Sequence, residues 1–261
     1  MSNDERKSPL RQKPLRLPGQ STQEAADQFY DDKVMPYFVA SVFIVVMALL
    51  DWARWLFRLP NHPWVTTAVA IAVIGYSLFR LRPLLIRHRQ LKLGRDGERA
   101  VGQELEKLRE RGYRVYHDFL AGDFNIDHIV VGPTGVFAVE TKTFRKPKDP
   151  DAKISYDGHV VSVPGVTLTR NPITQAKAEG DHIRDWIKHN ANRTPPVRPA
   201  VVFVGWYTQR QPEGAEVWVL NVPGLVSFIQ NERSRLSEDD IVHICGVLET
   251  HILNKQRELY G

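Results

Sequence analysis

The chain has 261 residues, 43% of them apolar, enough for one domain of ordinary size and something more. Its one cysteine, Cys245, excludes an intramolecular disulfide and gives no cysteine-based zinc site to expect; within the apolar run DIVHICGVLETHI it reads as a buried structural thiol. The formal charge of +5 is spread thinly, with ten Lys+Arg against seven Asp+Glu up to Ile86 and twenty-five against twenty-three from Arg87, so charge alone argues only weakly for a polyanionic partner.

Residues 1–33 are polar, with Pro, Gln, Ser and mixed charge, and are expected to form a flexible tail on the cytoplasmic side. Two apolar runs follow, VMPYFVASVFIVVMALL and WVTTAVAIAVIGYSLF, neither with a charge or an alternating polar face. A hydrocarbon core of ~30 Å needs ~20 helical residues, and flanking apolar residues extend the runs to two expected transmembrane helices at 34–57 and 63–82. Tyr37, Trp52, Trp55 and Trp64 lie near the ends, where interfacial aromatics belong. The link carries Arg54 and Arg58, whereas the outer flanks carry Lys33, Arg80, Arg82, Arg87 and Arg89, so both termini are expected in the cytoplasm and the lipid bilayer is an expected partner through residues 34–82. Pro83 is expected to interrupt the exit of the second helix, with a basic linker over 83–93 that serves as a topology signal or a contact to anionic headgroups.

From residue 94 the pattern becomes that of an α/β domain running to the end of the chain. GRDGERAVGQELEKLRERG predicts a helix ending at Gly112, and YRVYHDFL a strand. IDHIVVGPTGVFAVETK predicts two strands around a turn. KISYDGHVVSV predicts a hairpin turning at Asp157-Gly158. NPITQAKAEGDHIRDWIKHN predicts a helix with Asn171 as N-cap and Pro172 in its first turn. RPAVVFVGW and AEVWVLNV are further strands, and a helix capped by Ser237 closes the chain.

The IDHIVVGPTGVFAVETK hairpin holds the chemistry. A turn symmetric about Pro133-Thr134 pairs residues whose numbers sum to 267, which sets Asp127 opposite Glu140; opposed like charges are destabilising unless compensated, and a hard divalent cation is the natural compensator. Strand alternation puts Glu140 and Lys142 on one face. In the preceding helix Val101, Leu105 and Leu108 form an apolar stripe that Glu98 continues at the helix start. Alone, Glu98 is better explained as a charge favouring the helix N-terminus; together with the hairpin it reads as a site residue. His128, on the other strand face from Asp127, reads as structural.

The ordered set of a helix Glu in GRDGERAVGQEL, then IDH, GPxG, ETK and NPITQ resembles the nuclease-related domain (NERD), within the PD-(D/E)xK nuclease superfamily. The resemblance is firm from about Gly94 to Gln175 and looser beyond. It departs after ETK, where the charged, proline-containing TFRKPKDPDAK follows. It implies a restriction-endonuclease-like α/β fold, a mixed sheet flanked by helices, behind the transmembrane hairpin. It also implies a phosphodiesterase using Mg²⁺ or Mn²⁺ held by Asp127 and Glu140, with Glu98 as an outer or second ligand. Lys142 would orient water or stabilise developing charge, and Gln175 would position water or phosphate unless it is a plain surface residue. Arg145, Lys146 and Lys148 would track a nucleic-acid backbone, DNA ahead of RNA, or else form a solvated loop. Nuclease folds add a homodimer by analogy. The competing expectation is a catalytically inactive, membrane-tethered nucleic-acid-binding or scaffold module.

Overall fold

The computed structural model describes residues 15–122, 124–147, 149, 152–210 and 212–260. The chain divides into two compact units, residues 21–93 and the remainder. Helix α1 (Gln20–Phe29) runs through a π-helical turn (Tyr30–Val34) into α2 (Met35–Leu56), and α3 (Pro63–Glu106) follows a short link. The region expected to be a tail thus becomes helical at Gln20, where QSTQEAADQF concentrates strong helix formers and the Gln20 side chain accepts from the Leu17 N–H at 3.2 Å.

By length and composition, α2 and the first part of α3 are long and apolar enough to cross a membrane. Their large apolar side chains, Phe38, Phe43, Leu49, Val65, Ile71 and Leu78 among them, are exposed. At the link, Trp52 Nε1–H donates to Thr67 Oγ1 at 2.9 Å, and the Trp52 ring meets Trp64 edge-on at 4.7 Å. Pro83 does not end the second apolar helix. It sits inside α3, and residues 83–93 are helical. A proline removes one donor and strains one turn, and the Leu- and Arg-rich sequence on both sides has the propensity to carry the helix past it.

The second unit is built on a five-stranded mixed sheet of order β1-β2-β3-β6-β8. β1 (Arg114–Leu120), β2 (Asn125–Gly132) and β3 (Gly135–Lys142) form an antiparallel meander. A small sheet built on β4 (Lys153–Tyr156) and β5 (Val161–Ser162) intervenes, then α4 (Pro172–Ala191). The chain returns as β6 (Val197–Phe203), parallel to β3. β7 (Tyr207–Thr208) joins the small sheet, and β8 (Trp218–Leu220) lies parallel to β6. α5 (Val222–Asn231) and α6 (Glu238–Tyr260) complete the chain. This is the mixed sheet flanked by helices that the sequence predicts.

Both faces of β3 are covered, which is why it reads as one apolar run rather than an alternating one. Phe137 and Val139 pack with Val101, Leu105 and Leu108 of α3 and with Leu225 and Ile229 of α5. Val136 and Ala138 pack with Ile183 and Ile187 of α4 and with Ile244, Leu248 and Ile252 of α6. Two glycines let α3 approach. A Cβ on Gly97 would lie 1.8 Å from Thr143 Oγ1, just past β3, and one on Gly102 would lie 2.7 Å from Pro18. Beyond α3, a 3₁₀ turn (Lys107–Arg111) ends at Gly112 with φ 84°, the left-handed stop expected there.

Two local expectations change. Asp157-Gly158 does lie in the β4–β5 turn, but Tyr156 pairs with Val161, so the loop has four residues rather than two. α5 has no counterpart in the sequence prediction, because VPG looks like a turn. Proline is accommodated in a helix's first turn, and Asn221 Oδ1 caps it by accepting from the Gly224 N–H at 2.9 Å.

Candidate active site

The β2–β3 ladder keeps the predicted register from Gly132↔Gly135 to His128↔Val139 and then stops. The next pair would be Asp127 with Glu140. Instead the Thr141 N–H turns to the Asp127 side chain and donates to Oδ2 at 2.7 Å. The strands separate where the carboxylates lie, so backbone pairing gives way to side-chain chemistry at this end of the sheet. The end of β3 is fixed on its other side, where the Val204 N–H donates to the Lys142 carbonyl at 3.0 Å.

Glu140 is buried, 4% exposed. Its Oε1 forms an ion pair with Lys142 Nζ, two residues along the same strand face. Lys142 Nζ also donates to Gln175 Oε1 at 2.9 Å, and Gln175 Nε2 donates to Glu179 Oε1 at 3.0 Å. α4 brings the last two residues in. Asn171 Oδ1 accepts from the Ile173 N–H at 2.9 Å, Pro172 starts the helix, and an i,i+4 spacing stacks Gln175 and Glu179 on one face. Glu140, Lys142, Gln175 and Glu179 therefore form one hydrogen-bonded chain from strand to helix.

The electrostatics are those of crowded carboxylates. Burial pushes Asp127 well above the usual carboxylate range, and the Glu140 and Glu98 charges add to this against the Thr141 N–H. Burial first, and then Glu140, push Glu179 up to about 9. Glu179 thus keeps its proton at neutral pH. Among the described residues its Oε2 accepts from no donor, and a proton there can be donated to Glu140.

Of the residues expected at the site, Asp127, Glu140, Lys142 and Gln175 come together. Glu98 comes from the other side of the sheet, since the apolar stripe of α3 packs on the face opposite α4, and its charge still acts on Asp127. Arg145 and Lys146 are exposed in the loop after β3. Lys146 Nζ lies over the Trp206 and Tyr207 rings, 5.8 and 5.1 Å from their centroids. Lys148 lies outside the described residues. His128 is fully buried, and its Nδ1 is 2.9 Å from His117 Nδ1, as a structural residue should be.

Glu179 is the residue sequence reasoning missed, although a signal existed. It interrupts the apolar register Ile173, Ala176, Ile183, Ile187 of α4, as Glu98 does in α3, and only 2% of it is exposed.

Among the described residues, no three His, Cys, Asp or Glu side chains stand ready as a metal cage. The donor set nevertheless fits a hard cation of the Mg²⁺ class, which takes one or two carboxylates and fills its shell with water and substrate phosphate oxygens. Asp127 and Glu140 supply those carboxylates. Burial, the largest cause, holds Asp127 above the usual carboxylate range, and the neighbouring Glu140 charge adds a repulsion that a cation would relieve.

Residues 93–204 match the nuclease-related domain, NERD. Over 72 residues the chain is 39% identical to an uncharacterized protein of Bacillus anthracis, covering 26% of this chain and 34% of that protein, so this chain spans about a third of the relative's length. No solved structure matches significantly. From the C-terminal part of α3 through β6, then, the chain is similar to a nuclease-related domain, and Glu98, Asp127, Glu140, Lys142, Gln175 and Glu179 all fall within that stretch.

Proposed function

We propose that this chain is a membrane-anchored, metal-dependent nuclease of the PD-(D/E)xK kind, hydrolysing phosphodiester bonds of nucleic acid, DNA ahead of RNA, at the cytoplasmic face. The observation that carries the reading is the break in the β2–β3 ladder at Asp127, beside the chain Glu140–Lys142–Gln175–Glu179. Asp127 and Glu140 would hold Mg²⁺ or Mn²⁺, and Glu98 would reach them as an outer ligand. A bound ion supplies Lewis acidity at the phosphoryl oxygen and an acidified water.

The chain's own residues do the rest. Asp127 would have to release its proton to hold an ion, which would link binding to pH, and the Thr141 N–H keeps its carboxylate in place. Lys142 Nζ, paired with Glu140 in this structure, would supply its ammonium to the attacking water or the developing phosphate charge. Gln175 holds Lys142 in line and is itself held by neutral Glu179. Arg145 and Lys146, with Lys148 by sequence, offer cations for phosphates leaving the site. Anchoring is supported by the two exposed apolar helices, and cytoplasmic orientation by the Lys and Arg outside them.

Two observations favour the scaffold reading. Glu140 is already ion-paired, and no three-residue cage is formed among the described residues. The test uses the full chain in detergent, with plasmid, linear and single-stranded DNA and RNA, each with Mg²⁺, Mn²⁺ or chelator, beside Asp127→Ala and Lys142→Ala. Metal-dependent cleavage that drops at least ~100-fold in both variants is expected. Folded protein that cleaves nothing and binds nucleic acid equally in all three forms would establish the scaffold instead.

A further inference from the structure

The segment ahead of α1 belongs to the same compact unit as the sheet, although residues 21–93 separate them in sequence. Its contacts are specific. Gly19 abuts the backbone of Arg95, and Pro18 fills the notch left by Gly102. Arg95, Glu98 and Gly102 are spaced i, i+3, i+7, so they share one face of α3, and the segment runs along the face that bears Glu98. Leu15 then packs on the core beneath β1.

Between these contacts Arg16 is driven into the protein. Its side chain is 2% exposed, and its Nε is 2.5 Å from Oδ2 of Asp118, which is 4% exposed. Asp118 has φ 52°, a left-handed conformation that a non-glycine residue holds only where its surroundings impose it. Its position explains why this matters. The β1–β2 ladder pairs His117 with His128 and Phe119 with Ile126, and the step left out between them is Asp118 facing Asp127. The kink in β1 and the carboxylate at the break in β2–β3 are one distortion seen from two strands.

We propose that Arg16 is a positioning residue for the candidate metal site. By holding Asp118 in its left-handed kink, it sets the strand opposite Asp127, while its segment closes over the α3 face that carries Glu98. This rests on the metal-dependent reading of Asp127 and Glu140. It extends the functional domain to a segment outside residues 93–204, on the far side of the apolar helices in sequence. A buried charge pair suits such a role. Loss of one partner takes a buried ionic contact from the other, and the strain at Asp118 is then released into β1.

The test is Mn²⁺ titration of the full chain in detergent, following free Mn²⁺ by its electron paramagnetic resonance signal, with wild type, Arg16→Ala, Arg16→Lys and Asp127→Ala. Loss of partners that orient metal ligands typically weakens metal binding 10–100-fold. We expect Arg16→Ala to fall in that range and Arg16→Lys to recover part of the loss, with wild-type-like far-ultraviolet circular dichroism in both. If Arg16→Ala binds Mn²⁺ within about twofold of wild type while Asp127→Ala does not bind, Arg16 does not position the site and the metal reading stands. If Asp127→Ala binds as wild type does, the metal reading fails and the proposal falls with it. Should Arg16→Ala not fold, the pair Arg16→Gln with Asp118→Asn, which keeps two polar partners without charge, takes its place under the same outcomes.

Discussion

Replacing Glu179 by Gln keeps the side chain's shape and the oxygen that accepts from Gln175 Nε2, and removes only the ionisable proton. Glu179 passes from the ordinary 4.5 to about 9 on folding. A carboxyl whose folded pKa is raised stabilises least when the unfolded chain would ionise it. Its contribution is unpenalised below about 4.5, falls as pH rises, and levels off above about 9. At about pH 7.5 the folded protein must hold a proton roughly 3 pH units above the unfolded value, which at ~1.4 kcal/mol per unit amounts to about 4 kcal/mol as a ceiling. Glu179→Gln should therefore stabilise the metal-free chain progressively from about pH 5 to 9 and leave it unchanged near pH 4.5. Asp127, raised in the same direction, leaves a residual slope in the variant. The assay is urea unfolding in detergent with chelator at several pH values, followed by the fluorescence of Trp186, Trp206 and Trp218. Wild-type and variant stabilities that run parallel across this range would refute a neutral, buried Glu179.

Two further perturbations probe other links. Gly97→Ala adds a carbon 1.8 Å from Thr143 Oγ1. The clash should outweigh the ~1 kcal/mol gained in helix propensity and destabilise the domain by ~1–3 kcal/mol, with Thr143→Ala added to it restoring much of the loss. A double-mutant cycle with no coupling would show that α3 does not rest on this contact. Val45→Arg places a charge midway along α2 at an insertion cost of ~3 kcal/mol and should release a fraction of the chain from membranes in flotation gradients. Unchanged flotation would count against α2 as a span.

Much of the fold was legible because its signals are local. Gly112, Asn171-Pro172 and Ser237 marked helix ends through cap chemistry that acts over a few residues. The Pro133-Thr134 turn fixed a register that carried Glu140 and Lys142 onto one face. What stayed hidden depends on pairs distant in sequence. Glu179 becomes a site residue only because α4 lies against β3, with Lys142 and Gln175 33 positions apart. Asp118 looks like any strand residue until Arg16, 102 positions away, is seen to bind it. Pro83 misled for the opposite reason, since a strong local rule was outweighed by the helix formers around it.

The placement of β3 also bears on how the protein folds. The β1–β2–β3 meander pairs sequence neighbours and closes through short loops, which is entropically cheap. β6 can dock on β3 only after the chain has passed through the small sheet and α4. Asp127, Glu140 and Lys142 are therefore set on the early part, and Gln175 and Glu179 arrive with the late one. Docking of α4 and β6 on β3 is therefore what joins the two halves of the site, and β8 can pair only once β6 is in place.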